Sequence, residues 1–426
     1  MFNKLKGRYA ERKKNNERTV ISYEDMPLDD YEQEKTEISP KAVKKIILGV
    51  MIALAVGLIV FAFANRDKLT WDNIGVWWNY EVLGTAGKGY PVNVVGSEVN
   101  AQNFAINQGR VAYASDTSFV TLNSSGREVS NVQLRYTKPV MKSAENRFLT
   151  YGLGEQGYRV LNFDSNLYTG TAEGSIFAGD IASNGRYCIV CEGNGFYSEL
   201  YAFDKNNNRI FKYSFSEYYI NSVAINKNGS GCVCSGISNN DGNIKTGIYV
   251  LDFSREAPLA IFEVGDDYIL DSKYISANRA VLVGGNTSYV VKVEENKIQT
   301  VDYGGKPLKN YCFNPVSHTF SLALSQSGDG RSCALITYND GGEKQSEVDS
   351  NYGCDALSTY RGTIATLDGN TVYTYNNSGK LVYSCFVGTG AKKMILSSDA
   401  EAFVLSVNQV RKIDLTRQAT PDSVKK

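Results

Sequence analysis

The residues able to do chemistry are few. One histidine, His318 in "NPVSHTF", is the whole imidazole content of 426 residues. Multi-histidine metal sites are therefore excluded, and a Ser-His-Asp or Cys-His constellation would need a nucleophile and an orienting group that this stretch does not supply. Eight cysteines stand at 188, 191, 232, 234, 312, 333, 354 and 385. Cys188-Ile-Val-Cys191 has the spacing of zinc and redox pairs, but in an extended apolar run residues three apart point to opposite faces. Cys232 and Cys234 share a face, and no paired loop framework is evident, so the thiols read as free, buried and apolar. The acidic turns "SNNDGN" at 238–243 and "SGDGR" at 327–331 lack the alternating acids and terminal Glu of a calcium loop and read as turns. Asp180, Asp266 and Asp267 are the carboxylates that a glycan hydrolase or lyase could draw on, as a pair about 5 or 9 Å apart around one pocket. Tyr213, Tyr218 and Tyr219, in "YSFSEYYIN", are candidates for a flat amphipathic contact surface. Neither a catalytic, a cofactor-binding nor a metal site is assembled from these residues, and no cofactor is expected.

The elements that would position them repeat. Eight times an apolar strand, a short polar gap and a second strand ending in an Asn or Asp turn follow one another. They begin at Arg110, Arg147, Tyr187, Gly231, Arg279, Ser321, Thr363 and Ala402, between 37 and 48 residues apart. A period near 40 with four short strands per unit is the signature of a β-propeller, and each pair is expected to be the two middle strands of a blade. Runs such as "CIVC", "AVLV" and "FVLSV" are apolar on both strand faces, as expected of a blade covered by a neighbour on each side. The unpaired segment "PVNVV", near residue 91, is expected to close the ring as the outer strand of the eighth blade while "NFAIN" begins the first; closure removes exposed sheet edges. Seven blades, with one pair misread, is the alternative.

Ahead of the propeller, Ile46 to Ala64 reads "IILGVMIALAVGLIVFAFA" without a charged side chain. That is about the length of a transmembrane helix, preceded by Ser39 as cap and Pro40 in the first turn. Residues 1–45 carry eleven Lys and Arg against Arg66 and Lys68 just after the run. The positive-inside bias then puts the N-terminus in the cytoplasm and the propeller outside the cell membrane, single-pass. Cleavage after Ala64 as a secretory signal is the competing reading. All three tryptophans, Trp71, Trp77 and Trp78, fall just past the run, where with Lys44 and Lys45 they would sit at the lipid interface or dock a short helix on the domain. The organisation expected is a mostly disordered cytoplasmic tail (1–39), a transmembrane helix (40–65), a juxtamembrane spacer (66–87), the extracytoplasmic propeller (88–416) and a C-terminal tail (417–426). The basic and acidic halves of the first tail suit anionic lipid and a cytoplasmic partner, respectively.

The turn "YNNSGKLVY" at 375–383, with looser echoes at 122–128 and 203–210, resembles the strand-turn-strand of quinoprotein-like and WD40-like propellers. The layout of charged tail, helix, Trp-containing spacer and divergent propeller resembles a family of uncharacterised membrane-anchored proteins of Gram-positive bacteria. The resemblance implies a fold and no redox activity, since the adjacent Cys-Cys of quinone-dependent dehydrogenases is absent. With 45 basic against 45 acidic residues, no global field favours nucleic acid. The sequence therefore points to a membrane-anchored binding or scaffold module for an envelope protein or cell-wall polymer. An external glycan hydrolase or lyase is the alternative.

Overall fold

The computed structural model describes residues 40–64, 89–240, 242–328 and 330–417. The helix and the propeller are separate units.

Helix α1 spans Pro40–Ala64, beginning at the proline as the sequence suggests. The described side chains within it are Lys45 and residues 47–61, all exposed. Among the described residues no helix is long and apolar enough to cross a membrane. The span expected from the longer apolar run thus has no support from the described structure.

Residues 92–414 form eight four-stranded antiparallel sheets, so the eight-bladed reading holds and the seven-bladed one falls. Blades 1 to 7 occupy residues 99–133, 139–171, 176–215, 219–263, 269–302, 308–350 and 356–386. Blade 8 takes three strands from residues 391–414 and its outermost from the other end of the domain. That outermost strand is Val92–Asn93, pairing Val92 with Val410 and Asn93 with Gln409. The Val94 amide then donates to the Asn408 carbonyl at 2.9 Å. The ring closes where "PVNVV" predicted.

The second strands of the blades begin within two residues of the eight expected positions, and their burial explains why they were legible. Arg110–Ser115 and Tyr187–Cys191 are buried at every position, whereas the outermost Glu128–Gln133 is exposed at Glu128, Asn131 and Gln133 and fully buried nowhere. A middle strand is covered on both faces by neighbouring blades, so it must be apolar throughout. Eight apolar clusters fill the eight blade interfaces. One joins Cys188, Val190 and Leu200 of blade 3 to Val223, Cys232 and Tyr249 of blade 4. Another seals the ring by packing Phe403 and Leu405 of blade 8 on Val111 and Tyr113 of blade 1. No disulfide links the eight cysteines, seven of which are buried.

The turn after the third strand is built the same way in seven blades. Asn123, Asn162, Asp204, Asp252, Asn339, Asn376 and Asp414 each accept hydrogen bonds through the side chain from backbone amides two to four residues on. This Asx turn is the physical content of the recurring Asn/Asp. Blade 5 substitutes a short 3-10 turn, Val293–Glu295, ended by Asn296 in the left-handed region.

Each innermost strand lies beside that of the next blade, around a central channel. Side chains tie them together: Asn103 Nδ2 donates to the Pro139 carbonyl at 2.8 Å, Asn221 Nδ2 to that of Ile269 at 2.8 Å, and Asn310 Nδ2 to that of Asp355 at 2.8 Å. We call the face bearing the second-to-third-strand turns and the links between blades the upper face, and the other the lower. The chain enters the domain on the lower face, where the Gly89 amide donates to the Ser125 carbonyl at 3.2 Å.

Candidate functional site

Two features stand apart from blade packing: a charged cluster in the channel and a group of exposed rings on the upper face.

The innermost strand of blade 5, Ile269–Ser276, reads "ILDSKYIS" and carries Asp271 and Lys273 two residues apart, hence on one side of the strand. That side faces the channel. Lys142, in Pro139–Ala144 of blade 2, reaches Asp271 with Nζ at 3.0 Å from Oδ1. Lys273 in turn reaches Asp180, in Ile176–Ile181 of blade 3, at 3.3 Å, and the Ser143 carbonyl of blade 2 at 3.4 Å. Asp180 is buried, and its other oxygen accepts from the Ile225 amide of blade 4 at 3.0 Å. Two lysines and two aspartates thus pin blades 2, 3 and 5 to one another across the channel.

The electrostatics fit a strut. Burial would depress the Lys142 ammonium, but Asp271, with Tyr151 and Asp180, outweighs it and holds the group above the ordinary lysine value. Tyr151, fully enclosed beside the cluster, is pushed up to about 12 chiefly by burial. Burial, reinforced by Asp271, likewise raises Tyr311 of blade 6. Every carboxylate of the cluster has a lysine against it.

Asp180 is accordingly not joined by the other two candidate acids. Asp267 lies at the upper edge of blade 5, where its carboxylate accepts from the amides of Gly285 at 2.9 Å, Asn286 at 3.1 Å and Thr287 at 2.9 Å. It caps the turn between two strands, and Asp266 adjoins it outside the channel. His318 occupies a lower-face turn with φ 53°, and its Nδ1 donates to the Ile275 carbonyl of blade 5 at 3.0 Å. It is a clasp between blades. Among the described residues no group of His, Cys, Asp and Glu is placed to hold a metal ion.

The three tyrosines of "YSFSEYYIN" separate. Tyr213 is half-buried, packed edge-on to Phe215 at 4.8 Å. Tyr218 is buried against Tyr249 at 5.7 Å, in a space that exists because residue 247 is glycine: a Cβ there would meet the ring at 2.7 Å. Tyr219 alone is open, 52% exposed, with its ring 4.6 Å from that of Tyr197. Phe196 and Tyr197 come from the upper turn of blade 3, Tyr219 from the start of blade 4, and Tyr268 and Leu270 from the start of blade 5; all five are exposed. Sequence reasoning found one of them and missed the rest, which are scattered over 75 residues and meet only at one rim of the ring. Lys45 is exposed on α1. Trp71, Trp77, Trp78 and the Lys44 side chain lie outside the described residues.

Comparison with known proteins agrees with the architecture. No curated protein matches the sequence. Among solved structures the chain is similar to BamB from Moraxella catarrhalis, with 12% identity over 76% of this chain and 100% of that one and a TM-score of 0.47. It is also similar to apo AztD from Citrobacter koseri, with 9% identity over 69% and 88% and a TM-score of 0.50. Likeness at such identities concerns the fold alone. The decisive match is to a family model spanning residues 88–415, the whole closed ring from its outer strand to the end of blade 8, and the chain belongs to that family, the DUF5711 family of unknown function.

Proposed function

We propose that the protein is a single-pass, membrane-anchored binding or scaffold module of the cell envelope, with its N-terminus in the cytoplasm and its propeller outside, and that the upper face docks an envelope protein. The observation that carries the docking reading is the set of rings Phe196, Tyr197, Tyr219 and Tyr268, with Leu270, exposed on three successive blades. Large aromatic rings give contact area at low entropic cost and are enriched where proteins bind proteins. Anchorage rests on the nineteen-residue apolar run and the excess of basic residues before it. The segments 1–39, 40–65, 66–87, 88–416 and 417–426 keep the roles given above, with the basic tail on anionic lipid. The test is a photoreactive residue placed at position 219 or 268 in intact cells, with position 316 on the lower face as control. A discrete protein adduct from 219 and 268 and none from 316 is expected; equal labelling from all three, or none, refutes the docking face.

A further inference from the structure

A cleft of about 250 Å³ opens on the outer wall of the ring between blades 2 and 3. Four rings line it: Tyr158 and Tyr168 from the third and fourth strands of blade 2, and Tyr201 and Phe203 from the third strand of blade 3. Tyr158 and Tyr168 stand 6.0 Å apart and tilted. Gly170 makes this wall possible, since a Cβ there would meet Tyr158 at 2.4 Å and Tyr168 at 2.6 Å. Three of the four rings carry hydroxyls; Tyr158 and Tyr201 are buried, Phe203 is half-buried and Tyr168 is exposed. Tyr158 contacts the Tyr187 hydroxyl at 3.5 Å, and Tyr187 donates to Asn207 on the cleft's lower lip.

The charges at the opening cancel. Arg209 Nη1 lies 3.2 Å from Glu173, and its guanidinium sits over the Tyr201 ring at 5.7 Å. Tyr201 offers its single hydroxyl proton to two carboxylates, Glu173 at 2.9 Å and Glu199 at 2.5 Å. Glu199 is further bound by Lys212 at 2.9 Å and the Ser214 hydroxyl at 3.0 Å. A cation entering the cleft would have to displace Arg209 from Glu173, and an anion would meet Glu173. What remains complementary is a neutral, ring-shaped, polyhydroxylated molecule, with an apolar C–H face for the exposed Tyr168 ring and hydroxyls for Asn207, Glu173 and Arg209.

We propose that this cleft is a subsite for one pyranose unit of a neutral polysaccharide, with the open mouth letting the rest of the chain leave on either side. Two carboxylates accepting from one hydroxyl at 2.9 and 2.5 Å invite comparison with the carboxylate pair of a glycosidase, yet neither is set up as the acid. Glu199 is buried, which alone would favour its protonated form, but Tyr201, Lys212 and Ser214 hold it ionised, and Glu173 is paired with Arg209. The site therefore holds the sugar and leaves the glycosidic bond intact. The proposal borrows from the function above only the outward placement that would let the cleft meet such a polymer.

The test uses the full chain in a sugar-free detergent, titrated with soluble oligomers of glucose and of N-acetylglucosamine and followed by saturation-transfer NMR and calorimetry. Saturable binding of one of them with Kd on the order of 1 mM is expected for a one-ring subsite. Binding should weaken at least ten-fold in Tyr168→Ala and in Arg209→Ala, both at exposed positions, with the melting temperature unchanged. Absence of saturable binding by either oligomer overturns the subsite, as does binding that survives both substitutions, and the upper-face docking is untouched by either result. Release of shorter oligomers would instead overturn the claim that the bond is left intact, and with it the non-catalytic reading of the protein.

Discussion

If the lysines and aspartates of the channel are a strut, removing one partner should cost more than removing both. Lys142 and Asp271 meet at 3.0 Å, with 28% and 25% of their side chains still open to solvent. At an effective dielectric of about 20 the attraction is roughly 5 kcal/mol, and the loss of hydration on bringing both ions into the channel offsets much of it. Removing one partner from a fully buried pair costs about 3–5 kcal/mol. The residual exposure here lowers the figure, so Asp271→Ala should destabilise by about 2–3 kcal/mol, leaving Lys142 with only the more distant Asp180. Lys142→Met should cost less, about 1–2 kcal/mol, because Asp271 keeps the Ser272 amide at 2.9 Å. The double variant Lys142→Met, Asp271→Leu should return to within about 1 kcal/mol of the parent, giving a coupling of at least about 2 kcal/mol.

The assay is urea unfolding followed by far-ultraviolet circular dichroism, which reads the strands of the ring directly, since all three tryptophans precede the propeller in sequence. Reversibility must hold for the free energies to have meaning. A loss below about 0.5 kcal/mol in Asp271→Ala, or single losses that simply add in the double variant, would show that the pair does not bridge blades 2 and 5. The channel carboxylates would then be free for chemistry, and the hydrolase reading would regain its footing.

Other perturbations test other parts of the argument. Between pH 10 and about 12 folded Tyr151 keeps a proton that the unfolded chain has lost, and Cys191, pushed by burial up to about 11 from 9, behaves the same way. A group with a raised folded pKa stabilises fully below its unfolded value and loses that contribution as pH rises, so the melting temperature should decline from about pH 9 upward; a flat profile to pH 12 would contradict the burial of both groups. Thiol titration should count eight reactive cysteines after denaturation without reductant, and in the native state Cys312 alone, the one thiol that is not buried; fewer than eight would reveal disulfides. Val94→Pro deletes the amide that donates to Asn408, so the ring closure should weaken by about 1–3 kcal/mol, and an unaltered urea midpoint would mean that blade 8 does not depend on the first strand.

How much of this could be read from the sequence depended on whether the signal was local. The second and third strands of each blade were legible because burial on both faces forces an uninterrupted apolar run, and the Asx turn that follows them is fixed by one side chain bonding amides a few residues on. The closing strand was legible by elimination: "PVNVV" had no partner in its own neighbourhood. Tyr213, Tyr218 and Tyr219 were treated alike because they are neighbours in sequence, but the chain leaves one blade at Phe215 and enters the next at Tyr219, and successive side chains there face different neighbours. Asp267 resembled a channel acid only in type; three backbone amides make it a turn cap.

The contacts that most constrain function were beyond any local pattern. Lys142 and Asp271 are 129 residues apart, and nothing but the radius and order of the closed ring brings them together. One trace was present: the Asp and Lys spaced by two in "ILDSKYIS" mark a strand with one charged side. A charged side on an innermost strand has only the channel to face, and opposite charges there neutralise one another across the ring. Conversely, rings exposed on strand ends face outward on one rim, where no neighbouring blade can cover them. In a propeller the position of a residue within the repeat, first strand, strand end or outer wall, therefore sorts strut from contact surface more reliably than its chemical type, and it is on that sorting that the proposed docking face is placed on the upper rim and the proposed sugar subsite on the outer wall between blades 2 and 3.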